Sequence, residues 1–221
     1  MTLKGAIFDL DGTIIDSMGM WAHAASKYVI GRGVKLDDPD ALDAVAVTMG
    51  TCEYAQLLKD RFFPDEEIDY IIQTINQSVK QTYLNEIELK PHVAEFLKSL
   101  YESGVKMCVA TASPKGLVEG ILRKYDLLKY FECVVTSQEV GSSKKDSADI
   151  FERALSLIGT GKDDTLIFED AIYALRPALK AGFKAAGMFD KHAKDTEKEM
   201  KESCLYYFYN WKEAKETLLG K

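Results

Sequence analysis

The stretch "GAIFDLDGTIIDS" spans residues 5–17, and two aspartates two apart, Asp9 and Asp11, close its apolar part. Extended backbone turns alternate side chains to one side, so both carboxylates share a face. Gly12 permits a sharp turn there, and the hydroxyl of Thr13 can bond a neighbouring carboxylate. A second acidic pair, Glu169-Asp170, closes another apolar run, "TLIFEDA". Alone, the first pair reads equally well as an Asx-turn leaving a strand. Together they form a set of carboxylates that raise one another's pKa unless a cation neutralises them. Oxygen-only ligands suit a hard ion, and magnesium commonly takes one or two carboxylates plus substrate phosphate.

The elements that must position these residues follow from the apolar rhythm. Residues 5–10 read as a buried strand. From Ser17 to about Leu84 the patterns are helical, over 17–33, 38–50 and 64–84. After Pro91 strand and helix alternate: "VKMCVATAS", "YFECVVTS", "DTLIFEDA", "FKAAGMFD" and "CLYYFY" are the strands. Such alternation predicts an α/β fold, a Rossmann-like three-layer α/β/α core around a parallel sheet. The helical stretch is an inserted bundle, giving domains of 1–16 with 85–221 for the core and 17–84 for the insert. Ligands bind beyond the carboxyl ends of such strands, which collects Asp9, Asp11, Thr111, Glu169 and Asp170 at one rim.

Composition narrows the classes. Of 221 residues 47% are hydrophobic and 29% charged, a folded composition, and the net charge of −7 speaks against a broad nucleic-acid surface. No apolar run reaches the roughly 18 residues of a membrane span. The first strand begins at once, leaving no room for a signal peptide. Cys52, Cys108, Cys133 and Cys204 form no CxxC pair and read as reduced core thiols. The expectation is a cytoplasmic monomer with no nucleic-acid or membrane partner. "GTGK" at 159–162 follows a helix without the P-loop spacing and reads as a C-cap turn.

In order along the chain, "DLDGTIIDS", "VATAS", the lysine before "DIF" and "FEDA" resemble the four motifs of the haloacid dehalogenase superfamily, and the insert resembles its C1-type cap. The likeness points to the beta-phosphoglucomutase and phosphoglycolate-phosphatase-like branch. By this resemblance Asp9 is a nucleophile forming an aspartyl-phosphate, and Asp11 a general acid, then base. Mg2+ would sit between Asp9, the backbone carbonyl of Asp11 and Asp170, with Glu169 in its shell directly or through water. Thr111 and the backbone N–H groups near Ala112 would hold the phosphoryl oxygens, and Ser113 would reach the substrate's distal part. The family lysine lies four residues before the aspartate of "DIF", which selects Lys145 with Lys144 as the alternative. "KDSAD" lacks the family's two prolines.

The substrate implied is a small phosphorylated metabolite, and the reaction hydrolysis of a phosphate monoester. Trp21, Met49, Gly50, Thr51 and Tyr54 on the insert could face the leaving group, although Trp21 and Met49 serve equally as packing residues. A phosphomutase is the second reading. It is disfavoured because Trp21 stands where that branch carries a cap histidine, with His23 two further on. A catalytically silent binding protein that kept the scaffold is the third.

Overall fold

In a computed structural model of the chain, residues 3–46, 49, 51–144 and 146–220 are described. In chain order the elements are β1 (Gly5–Phe8), α1 (Met18–Trp21), α2 (Ala24–Gly31), α3 (Pro39–Ala46), α4 (Thr51–Phe62) and α5 (Ile68–Asn85). They continue with α6 (Val93–Glu102), β2 (Lys106–Thr111), α7 (Lys115–Lys124), β3 (Cys133–Thr136), α8 (Ser137–Val140) and α9 (Asp149–Ile158). The last are β4 (Thr165–Glu169), α10 (Ile172–Lys180), β5 (Lys184–Met188), α11 (Glu197–Ser203), β6 (Tyr206–Phe208) and α12 (Trp211–Leu219). The chain divides into two compact units, Met1–Asp16 with Glu88–Lys221, and Ser17–Ile87.

The first unit is built on one six-stranded sheet in the order β3-β2-β1-β4-β5-β6, parallel throughout. This is the α/β core expected from the alternation. Central strands of such a sheet are covered on both faces, and all of β1 and β4 is buried. Helices supply the cover with apolar residues at helical spacing: Val93, Phe96, Leu97 and Leu100 on α6, and Ile150, Phe151, Ala154 and Ile158 on α9. Under α9 lie Ile7, Cys108, Ala110 and Val135. On the other strand positions Phe8 and Phe168 stack at 4.7 Å, with Phe96 and Trp211 against them.

"GTGK" is a turn: Gly159 caps α9 at φ +66, where a side chain would be strained. Pro177 sits inside α10 without ending it. Gly5 is small for a packing reason, since a Cβ there would lie 2.4 Å from Thr160 Oγ1 and 2.6 Å from Thr165 Oγ1.

The second unit has its own core, among it Tyr28, Val29, Leu42, Leu58, Ile71 and Ile75. The helix expected over 17–33 is two helices. Asp43 of α3, itself buried, accepts from the N–H of Ser26 at 2.8 Å and from its hydroxyl at 2.6 Å, satisfying a donor in the first turn of α2. An unbroken helix would have used that N–H internally. The helix expected over 38–50 ends at Ala46 as α3; Val47, Thr48 and Gly50 lie outside the described residues. Among the described residues no helix is long and apolar enough to cross a membrane.

Candidate active site

The carboxyl ends of β1, β2 and β4 bring the strand-end residues together. β1 and β4 pair with Phe8 opposite Phe168, and the N–H of Asp9 donates to the Phe168 carbonyl at 2.9 Å. That bond carries the pairing one residue further and sets Asp9 beside Glu169. Carboxylate oxygens of Asp9, Glu169 and Asp170 all lie within 4.8 Å of one another, and all three residues are buried. Beyond β1 the chain turns at Gly12, with φ +82 and its N–H donating to the Ile15 carbonyl at 2.9 Å. The turn returns the Thr13 hydroxyl to Asp170, donating to Oδ1 at 3.1 Å.

Among the described residues one cation is placed against two of these carboxylates. Lys144, buried, donates from Nζ to Asp9 Oδ1 and, at 2.9 Å, to Glu169 Oε2. The sequence reading put Lys145 in this place with Lys144 as the alternative. The side chain on Asp9 is that of Lys144, and Lys145 lies outside the described residues. The N–H groups of Asp146 and Ser147 both return to the Ser143 carbonyl, and Lys144 lies five residues before Asp149, one more than the family spacing.

Electrostatics follow from burial and crowding. Burial, then Glu169, push Asp9 up to about 8 against the pull of Lys144. Burial, then Glu169 and Asp9, raise Asp170 well above the carboxylate range. Burial works against the Lys144 ammonium, but Asp9 and Glu169 outweigh it and hold its pKa above the ordinary lysine value. Among the described residues the site holds three buried acidic groups and one buried base, a deficit of positive charge.

The Asp11 carboxylate is not one of the three cluster groups, although its charge adds to the rise at Asp9. Its Oδ2 accepts from the Ser113 hydroxyl at 2.7 Å, and the Ser113 N–H donates to Thr111 Oγ1 at 3.1 Å. Thr111, Ser113 and Asp11 therefore form one bonded set across β1 and β2, with Ala112 between the two β2-side residues. The expected part of Asp11 in metal binding is through its carbonyl oxygen, and its carboxyl is not in the cluster. Trp21 and Thr51 belong to the helical unit. Trp21 meets the Tyr83 ring edge-on at 6.1 Å, and Thr51 opens α4.

Residues 6–188 match the profile of a family described as haloacid dehalogenase-like hydrolases, a span that takes in every strand-end residue of the site. The chain belongs to the haloacid dehalogenase-like hydrolases. Among relatives in that family, a phosphoglycolate phosphatase of Salmonella typhi is 28% identical over 205 residues, covering 84% of this chain and 81% of that protein. A phosphorylated carbohydrates phosphatase of Thermotoga maritima is 23% identical over 184 residues, covering 82% and 83%. The fold matches that of CbbY from Rhodobacter sphaeroides in complex with phosphate, with a TM-score of 0.82 at 19% identity and 95% of each chain covered. A candidate beta-phosphoglucomutase from Thermotoga maritima matches with a TM-score of 0.73 at 19% identity, covering 98% of this chain and 97% of that one. Haloacid dehalogenase-like membership and phosphatases among the relatives agree with the expected enzyme class, a phosphoric monoester hydrolase.

Proposed function

We propose that this chain is a magnesium-dependent phosphatase of small phosphate monoesters, working through an aspartyl-phosphate on Asp9. The observation that carries the proposal is the buried charge imbalance, among the described residues, of Asp9, Glu169 and Asp170 against Lys144. A divalent cation offsets that imbalance, and a donor set made only of carboxylate oxygens fits a hard ion. Asp9, Asp170 and the Asp11 carbonyl, with Glu169 directly or through water, would hold Mg2+, which supplies charge neutralisation to the phosphoryl group.

The protein's own residues then divide the work. The Asp9 carboxylate attacks phosphorus as the ester oxygen leaves, a role carboxylates fill in covalent catalysis. Asp11 gives its proton to that oxygen and next takes one from the water that hydrolyses the acyl-phosphate. Its bond from Ser113 fixes which way the Asp11 carboxyl faces. Lys144 offsets the negative charge of Asp9 and the incoming phosphoryl group, and the Thr111 hydroxyl with N–H groups near Ala112 receives the phosphoryl oxygens. The relatives named for phosphoglycolate and phosphorylated carbohydrates support a small phosphate ester as substrate. Trp21 and Thr51 of the helical unit are our candidates for substrate selection.

A panel of phosphorylated metabolites, assayed with Mg2+ and with chelator, tests the proposal. Free phosphate released only with metal and lost in Asp9→Asn is the expected result. Glucose 6-phosphate appearing from beta-glucose 1-phosphate and a bisphosphate primer, without free phosphate, replaces the phosphatase with a phosphomutase. No turnover across the panel leaves a binding protein.

A further inference from the structure

The two central thiols of the first unit are not independent core residues. Cys108 of β2 and Cys133 of β3 are direct register partners on neighbouring parallel strands, and their sulfurs are 2.9 Å apart. Side chains of register partners leave the same face of a sheet, so both point under α9. Neighbouring strands run roughly 4.8 Å apart, inside the window of about 4.4–6.8 Å between Cα atoms that a disulfide accepts. Cys133 opens β3, an edge strand, and is half-buried, which gives a small oxidant access that Cys108 lacks. We propose that Cys108 and Cys133 are an oxidation site, closing to a disulfide under a hydroperoxide and thereby slowing catalysis at the end of β2.

The chemistry balances with hydrogen peroxide as the oxidant. Cys133 sulfur attacks one peroxide oxygen; an S–O bond forms, the O–O bond breaks, and the departing hydroxide takes the thiol proton as water. Cys108 sulfur then attacks the sulfenic sulfur; the S–S bond forms, the S–O bond breaks, and a second water leaves with the Cys108 proton. Two thiols lose two electrons and one peroxide becomes two waters. The order of attack agrees with the shared hydrogen bond, which holds the Cys133 thiol below its ordinary range while Cys108 is pushed up.

The consequence for the site rests on the phosphatase reading. Closure shortens the sulfur–sulfur distance from 2.9 Å to about 2.05 Å, a pull of roughly 0.9 Å on β2 and β3. Thr111 ends β2 three residues beyond Cys108, bonded to the Ser113 that orients Asp11. A displacement of that size at a positioning residue slows an enzyme by roughly 10- to 100-fold.

The test treats the full chain with hydrogen peroxide, blocks remaining thiols by alkylation and maps peptides without reduction. The expected product is a linked Cys108–Cys133 peptide pair lighter by two hydrogens, with phosphate release slowed roughly 10- to 100-fold. Both changes reverse with dithiothreitol, and neither occurs in Cys133→Ser, whose basal activity matches the parent. Both cysteines recovered alkylated, or sulfinic acid at Cys133 as the product, overturns the site. The linked peptide with unaltered turnover overturns the control of catalysis. The peptide map needs no turnover, so it decides the site even where the phosphatase reading fails.

Discussion

The indole N–H of Trp211 donates to the backbone carbonyl of Thr13 at 3.1 Å, joining residues 198 apart in sequence at the turn that follows the proposed nucleophile. Trp211 is buried at the start of α12, and Thr13 passes the restraint on by donating to Asp170. The end of the chain thus holds the loop whose hydroxyl orients a proposed metal ligand. Supporting partners of this kind matter nearly as much as the ligands themselves.

Trp211→Phe keeps an aromatic ring beside Phe8, Phe96 and Phe168 but leaves the Thr13 carbonyl without its donor. The expected cost is about 1–3 kcal/mol of stability, together with a roughly 10-fold weaker Mg2+ affinity. Calorimetric unfolding reads the first and a Mg2+ titration the second. Equal Mg2+ affinity in parent and variant would reduce Trp211 to a packing residue.

Lys144→Ala removes the one cation that, among the described residues, is placed against Asp9 and Glu169. Leaving buried carboxylates unpaired costs about 3–5 kcal/mol in the metal-free chain, and turnover falls by roughly 100- to 1,000-fold. Lys145→Ala retains nearly full turnover. Comparing the two rates decides between the lysines, and the reverse ranking would reinstate Lys145.

Metal-free protein loses stability as pH rises across neutrality. Asp9 sits near 8 when folded against an ordinary 3.8, and Asp170 is also raised. Between those values the folded state keeps protons that the unfolded chain has released, so the free energy of unfolding falls as pH climbs. Melting temperatures in chelator should decline from about pH 5 to about pH 8. Saturating Mg2+ offsets more of that loss at the higher pH, because the ion displaces the retained protons. A flat chelator profile would show that these carboxyls are not held neutral.

Gly5→Ala tests the packing at the head of β1. Its Cβ would meet two threonine hydroxyls that are bonded to each other at 2.7 Å, with Thr165 also held by the Gly161 carbonyl. Overpacking of this kind costs about 1–3 kcal/mol, seen as a lower urea midpoint with an unchanged slope. A midpoint equal to the parent's would mean the threonines yield freely.

Asp9, Asp11, Glu169 and Asp170 stand out in the sequence because each ends an apolar run, and ionised residues there are out of place in a buried strand. The parallel sheet is legible for the same reason, since strands covered on both faces are written as unbroken apolar words. Lys144 is harder to read. Counting back from Asp149 assumes a loop length, and Lys144 stands one residue further back than that count. The break between α1 and α2 depends on Asp43, which lies 17 positions beyond the Ser26 it satisfies. Trp211 leaves no trace near Thr13, because its partner is a carbonyl that any residue could offer. Contacts of this sort are fixed by the folded sheet, and short-range pattern does not contain them.

The strand order gives synthesis a particular hazard. β1 lies between β2, which begins at Lys106, and β4, which begins at Thr165, so the first of the six strands made is flanked on both sides only once Glu169 has followed it. While about a hundred and more residues follow it, an apolar ribbon with open hydrogen-bonding edges is available to any neighbouring nascent chain. Fragments truncated before Thr165 should therefore collect as aggregates, whereas chains that reach Glu169 can seal the ribbon into the middle of the sheet.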